Sequence, residues 1–274
     1  MHLNLNKKNK KKLKSVKNLF YNIFLYFFIL ICIITYLRKL GVFILIRYLI
    51  LNSDNTENFI KSLKFTFYCL KIDLIVQTFY FFTSQSNFLV MIVLFLNFTK
   101  FKKNKYYPLL AFITLIDILL TGIVWNLIAS PTNELLEIKK NFFTISLFQH
   151  LYIPLFYVIF FFTPFYINSN SFFTLSRAYY GLIHPLFYLF YSLILGYFSE
   201  EKLYCYPYNF TNPNQKCNLS SIFLDFFQLN NYQEKQGFLG VLINNLFLLI
   251  VLIIFIPFLY YLHKIRVKNN NIIK

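Results

Sequence analysis

A helix needs roughly 17 to 25 apolar residues to cross a bilayer's hydrocarbon, and this chain supplies such runs repeatedly. Leu19–Leu37, Tyr106–Ala129, Phe142–Ile167 and Gly237–Leu262 each qualify, and Leu182–Phe198 is shorter but adequate. Val76–Phe98 is long enough although "TSQSN" interrupts it, while 40–51 carries Arg47 and 65–77 carries Lys71 and Asp73, so these two read as interfacial or as a weak pair of spans. With 58% hydrophobic and 22% aromatic residues in 274, the chain is too apolar to hide its side chains in an ordinary soluble core. The expectation is an all-α polytopic transmembrane bundle.

The formal charge of +17 could suggest nucleic acid, but the basic residues cluster beside apolar runs and form no face with stacking aromatics. Lysines in such places record topology. The first 18 residues hold seven lysines, "TKFKKNKYY" holds four, and the chain closes with Lys264, Arg266, Lys268 and Lys274. All three clusters should face the cytosol. Residues 1–18 are then a cytosolic tail and 19–37 a signal-anchor helix, too long in its apolar part and lacking the small-residue site of a cleaved signal. The segment 38–75 crosses twice or not at all. The bundle occupies 76–268, with helices near 76–98, 106–129, 148–176, 182–198 and 237–262, and 269–274 is a cytosolic tail.

The loop 199–236 balances Glu200, Glu201, Asp225 and Glu234 against Lys202, Lys216 and Lys235, so it can be translocated. Its sequons at Asn209 and Asn218 work only on the lumenal side. A third, at Asn97, falls at a cytosolic helix end and should be silent.

Polar residues inside apolar runs are the candidates for function. An aspartate at bilayer depth costs roughly 2.5 to 3.5 kcal/mol on insertion scales, so Asp117, in the middle of 106–129, needs a partner, a cavity or neutralisation. A node that binds a cation and a paired residue that only fixes helix rotation are both open. Asn87 on the preceding span fits a hydrogen bond across a helix interface. In "SRAYYGLIHPLFY", Arg177 can reach the inner interface at a helix end, and Pro185 disfavours helix at His184 and so marks a boundary. His150 and Trp125 fall near the outer ends of their helices, where anchoring or ligand contact would suit either.

The order of these elements resembles rhodopsin-like G-protein-coupled receptors. "SNFLVMIVLFLN" followed by "TKFKKNKYYPLLAFITLIDILLTG" is similar to their first two helices, and "SRAYYGLIHPLFY" to the Asp-Arg-Tyr end of helix three and its loop. "CYPYNFTNPNQKCNLSSIFLDFF" resembles the extracellular loop of nematode serpentine receptors of class x, a chemosensory branch. The resemblance covers helices one to five and implies a receptor for a small extracellular ligand, coupled to a heterotrimeric G protein. Its contact loop would carry Arg177, Tyr179, Tyr180, His184 and Pro185, and its polar core Asn87 and Asp117. The family's bond from helix three to the loop has no counterpart here. Cys205 and Cys217 could instead pair with each other, closing a ring worth about 3 kcal/mol. Nothing matches helices six and seven, so the chain is expected to be truncated and to signal poorly alone.

The rival expectation is a small transporter or channel, which would need a polar stripe through the bilayer. No enzyme is expected: no phosphate-binding loop, G-x-S-x-G, H-E-x-x-H or zinc-spaced cluster is present, and the histidines at 2, 150, 184 and 263 are scattered. No cofactor or metal is implied. The partners are the lipid bilayer, a G protein and an unknown ligand, with the protein in the plasma membrane or endoplasmic reticulum.

Overall fold

A computed structural model describes residues 22–23, 25–35, 37, 81–125, 145–162, 173–198, 208, 211–214 and 237–272. Among these there is no strand, and almost all are helical. We label the helices α1 (Leu25–Thr35), α2 (Phe82–Leu96), α3 (Tyr107–Ile123), α4 (Ile153–Phe161), α5 (Leu175–Ala178), α6 (Ile183–Phe198) and α7 (Gly237–Ile272). The segment 38–75 lies outside the described residues.

Helices α2 and α3 pack antiparallel around a short turn. Thr99 caps the 3-10 stretch Lys100–Lys103 by accepting from the Phe101 N–H at 3.1 Å. Pro108 in the first turn of α3 costs no backbone bond, because that N–H would be unpaired anyway. At the turn, the buried Tyr107 hydroxyl donates to the Val93 carbonyl and to Asn97 Oδ1, at 3.2 and 3.3 Å. At the opposite end Ser86 Oγ meets Thr121 Oγ1 at 2.7 Å.

Helix α4 runs antiparallel to α3. The Tyr157 hydroxyl donates to the Ala111 carbonyl at 3.0 Å, and Phe161 lies 6.0 Å from Phe112 between ring centres. Pro154 has no N–H for the carbonyl four residues back, and the chain before it widens into a π turn, Phe148–Tyr152, with the Ile153 N–H bonded to the Phe148 carbonyl. That turn lies against α3 where Gly122 leaves room: a Cβ there would stand 3.3 Å from the His150 carbonyl oxygen.

One long helix over 148–176 is expected from the sequence, and the structure corrects this. Helix α4 stops at Phe161, with Phe162 at φ −90°, ψ 7°, and Pro164 follows two residues on. Thr174 is extended (φ −107°, ψ 165°), and its hydroxyl accepts from the Arg177 N–H at 3.4 Å, so it opens a new helix. The polar stretch 168–171 lies outside the described residues. Gly181, in the 3-10 turn Tyr179–Leu182, packs so closely that a Cβ would come within 3.0 Å of Ile116 Cγ1.

Helix α7 runs on to Ile272 rather than ending at 262. Val241, Asn244, Leu248, Leu252, Ile256, Leu259 and His263 form one buried stripe at helical spacing. The other faces expose Phe238, Leu242, Leu246, Ile250, Ile254 and Phe258. Within α7, Gly237–Val267 is long and apolar enough to cross a membrane. Its most apolar 18-residue stretch has a mean hydropathy of 2.9, and only 33% of that stretch is buried.

Several contacts bring the basic residues to one end. His263 packs on Phe161 and Phe173, and Phe173 packs on Phe112, five residues from Tyr107. Tyr26 of α1 stacks on Phe98 at 4.7 Å. The exposed lysines of the 100–105 turn and Lys264 therefore share what we call the lysine end.

Candidate functional site

Away from the lysine end, four of the five consecutive polar residues 83–87 of α2 engage different neighbours, because each residue of a helix turns about 100°. Thr83 and Asn87, one turn apart, face the π turn Phe148–Tyr152; Gln85 faces α6; Ser86 faces α3. This is the structural sense of the "TSQSN" that lowers the hydropathy of that run.

The inner part of the site centres on His184. Its Nδ1 lies 2.9 Å from Asp117 Oδ2 on α3, and its Nε2 lies 2.9 Å from Gln85 Oε1 on α2. Phe82 stacks on the ring at 5.1 Å between centres. Gln85 Oε1, as the network assigns it, only accepts, so Nε2 carries a proton. Nδ1 then either accepts a proton from a neutral Asp117 carboxyl or donates one to its carboxylate. The two residues carry zero net charge in both cases, which suits a side chain as buried as Asp117, at 0% exposed. Asp117 Oδ1 has no hydrogen-bond partner among the described residues.

The outer part is a directed relay. His150 Nδ1 lies 2.8 Å from the Ser146 carbonyl, which can only accept, so in the neutral ring Nε2 is an acceptor. Thr83 Oγ1, 3.2 Å from Nε2, donates to it and is thereby left to accept from the Tyr208 hydroxyl at 3.3 Å. The Thr83 N–H donates to the same phenol oxygen at 3.3 Å. Burial pushes the Tyr208 phenol above its ordinary value, partly offset by its bonds to Thr83 and Tyr188. Trp125 stacks flat on His150, with centres 5.0 Å apart.

The two parts share α2. Ser86 Oγ and Asn87 Nδ2 both donate to the Thr83 carbonyl, at 3.1 and 2.7 Å, and Asn87 Nδ2 also reaches the Gln149 carbonyl at 3.3 Å. Thr121 Oγ1 lies 2.7 Å from Ser86 Oγ and 3.1 Å from the Asp117 carbonyl, so two hydroxyl protons are shared among three contacts. Toward the lysine end the network gives way to buried Tyr107, Phe112, Tyr157, Phe160 and Phe161.

The structure places the expected residues as follows. Asn87 and Asp117 are both buried in this network, but they join through Ser86 and Thr121 and not directly. His184 does not sit in a loop with Arg177: Pro185 falls in the first turn of α6, where proline is tolerated, so His184 is already helical and turns inward. This corrects the expectation that Pro185 disfavours helix at His184, while the boundary it marks falls at the start of α6, two residues earlier. Tyr180 is 49% exposed, and Arg177 and Tyr179 are half-buried. Trp125 is buried, so it does not anchor an interface. Cys205, Cys217, Asn209 and Asn218 lie outside the described residues.

Sequence reasoning missed the His184–Asp117 contact and the parts played by Gln85, Thr83 and Tyr208. The available signal was electrostatic: a lone aspartate in an apolar run requires a partner, and His184 opens another apolar run. Among the described residues no group of three or more His, Cys, Asp or Glu side chains could hold a metal. Comparison of the chain with protein-family models, curated proteins and solved structures finds no match.

Proposed function

We propose that this chain is a multi-pass membrane protein of receptor type, which detects a small ligand at the end away from the lysines and passes its state to a G protein at the lysine end. The observation that carries the reading is that one imidazole, His184, ties α2, α3 and α6 together. It sits immediately after the segment bearing Arg177, Tyr179 and Tyr180. A change at Thr83 or Gln85 on α2 thus has a physical route, through His184 and the Gly181–Ile116 contact, to the proposed effector surface. Coupling of this kind requires two arrangements that ligand and effector bind unequally.

The multi-pass part is supported by antiparallel alternation and lipid-compatible faces. Helix α2 runs toward the lysine end, α3 away from it and α4 toward it, and large apolar side chains are exposed on α1, α6 and α7. A transporter would need polar continuity to the lysine end, and buried aromatic rings fill that half.

The test is reconstitution of the full chain in liposomes containing a pH-sensitive dye, in parallel with nucleotide exchange on added heterotrimeric G protein. The expected result is no proton flux above protein-free vesicles, together with only a slight rise in exchange, in keeping with poor signalling by this chain alone. A gradient-driven flux that Asp117→Asn abolishes in a folded protein would overturn the reading in favour of transport.

A further inference from the structure

The residue that completes the outer relay comes from neither α2 nor α4. Tyr208 lies between α6 and α7 in sequence, and its half-buried side chain sits at the far end of the bundle against Phe81, Thr83 and Tyr188. Its oxygen takes the Thr83 N–H, and its hydroxyl faces Thr83 Oγ1. Its ring packs edge-on to Phe81 at 6.1 Å and tilted against Tyr188 at 6.2 Å. The phenol sits in an aromatic box with a donor and an acceptor at its floor.

The tether around it is short and polar. The Thr211 hydroxyl and N–H both return to the Tyr208 carbonyl, at 2.8 and 3.0 Å. Thr211, Asn212 and Pro213 are buried, and the Gly237 N–H donates to the Pro213 carbonyl at 2.9 Å, where α7 begins with Gly237 at φ 63°. The positive φ favours glycine at this junction. The described contacts of this segment are hydrogen bonds and ring edges, the kind of contact that a competing molecule can replace.

We propose that Tyr208 is a built-in occupant of a binding site for small neutral aromatic alcohols, and that a ligand of this class binds by taking its place. Such a ligand must be flat enough for the space between Phe81 and Tyr188. It must also carry a hydroxyl that can accept from the Thr83 N–H and donate to Thr83 Oγ1. An aromatic without a hydroxyl leaves the buried Thr83 N–H unpaired and is disfavoured. With His150 in its neutral form, both of its nitrogens are engaged in the relay, so among the described residues the relay offers a ligand hydrogen bonds and not a charge. This inference deepens the receptor reading by naming the chemistry of its ligand, but its test uses no signalling readout, so either can fail alone.

The test uses p-cresol, which is the tyrosine side chain itself, and toluene, which lacks the hydroxyl, with the full chain in lipid nanodiscs. In Tyr208→Ala the site is vacated, and p-cresol should raise the thermal midpoint saturably, with toluene at least tenfold weaker. The wild type should respond to p-cresol at a concentration about tenfold or more higher, because Tyr208 must leave first. Addition of Thr83→Val to Tyr208→Ala should remove the preference for p-cresol over toluene. As a check that needs no variant, hydrogen exchange of the wild-type backbone at 211–214 should speed up several-fold with p-cresol and stay unchanged with toluene. Equal effects of the two compounds, or no effect of p-cresol on wild-type exchange at saturating concentration, would overturn the proposal.

Discussion

Removal of His184 should be far more costly than removal of an ordinary interhelical hydrogen bond. Asp117 is fully buried, and Oδ2 has His184 as its partner while Oδ1 has none among the described residues. His184→Ala therefore strands a carboxyl in the bundle and also takes a donor from Gln85. One-sided disruption of a buried pair costs about 3 to 5 kcal/mol. Asp117→Ala strands the ring instead, but His184 is 23% exposed at its side chain and can be rescued by water, so a smaller cost of about 2 kcal/mol is expected. The double variant leaves neither group stranded, so the two costs should not add. A coupling of about 1.5 to 3 kcal/mol is expected, against a typical ~0.6 kcal/mol for interhelical hydrogen bonds in membrane proteins. At 2 kcal/mol this is roughly a 30-fold effect on the folding equilibrium. Asp117→Asn, whose amide can still donate to Nδ1, should stay within about 1 kcal/mol of wild type. The measurement is reversible unfolding of all four cycle members in bicelles. A coupling below about 0.3 kcal/mol would refute the claim that Asp117 depends on His184, and with it the tie between α2, α3 and α6.

Three further outcomes follow from particular contacts. Gly181→Ala puts a Cβ 3.0 Å from Ile116 Cγ1 and should destabilise by about 1 to 3 kcal/mol through overpacking; an unchanged midpoint would show that the turn does not press on α3. Tyr208→Phe should cost about 1 kcal/mol near pH 8, and its deficit should shrink above pH 10. The buried phenol stays protonated while the unfolded chain begins to ionise near 10.0, so stability that is complete below that pH is lost as pH rises toward the native value. A gap that stays constant from pH 8 to pH 11 would contradict the burial of this hydroxyl. Cysteines placed at Lys102 and Lys264 should both resist a membrane-impermeant maleimide in intact cells, and labelling of one but not the other would separate the two clusters that the fold brings to one end.

Whatever depends on local pattern was legible in the sequence, and whatever depends on which helices meet was not. The hydropathy runs overlap α2, α3, α6 and α7, but only α6 agrees within a residue at both ends, and α7 runs ten residues past the expected 262. The break between Phe161 and Thr174 was missed for a reason that is also local. Hydropathy ends the run from Phe142 at Ile167, the receptor resemblance extends the helix to 176, and the Thr174 cap, a local signal, overrides the extension. Asp117 and Asn87 could be marked as costly in an apolar setting, but the cost says only that a partner exists.

The partner's identity is set by helix contacts, and on the proposed multi-pass reading these are poorly specified by hydrophobicity, since lipid chains compete equally for the same faces. Hydrogen bonds and close approaches decide them instead. His184 meets Asp117 because Gly181 lets the preceding turn sit against Ile116, and because Pro185, one residue after the histidine, falls within the tolerated first turn of α6 and not at a break. Thr83, Gln85, Ser86 and Asn87 matter for the same reason. They lie within five residues of one helix, so the rotation that directs Gln85 to His184 also sends Ser86 to Thr121 and Asn87 to Gln149. A single rotation of α2 that satisfies four polar groups at once is strongly determined, and any motion of α2 must disturb these bonds together.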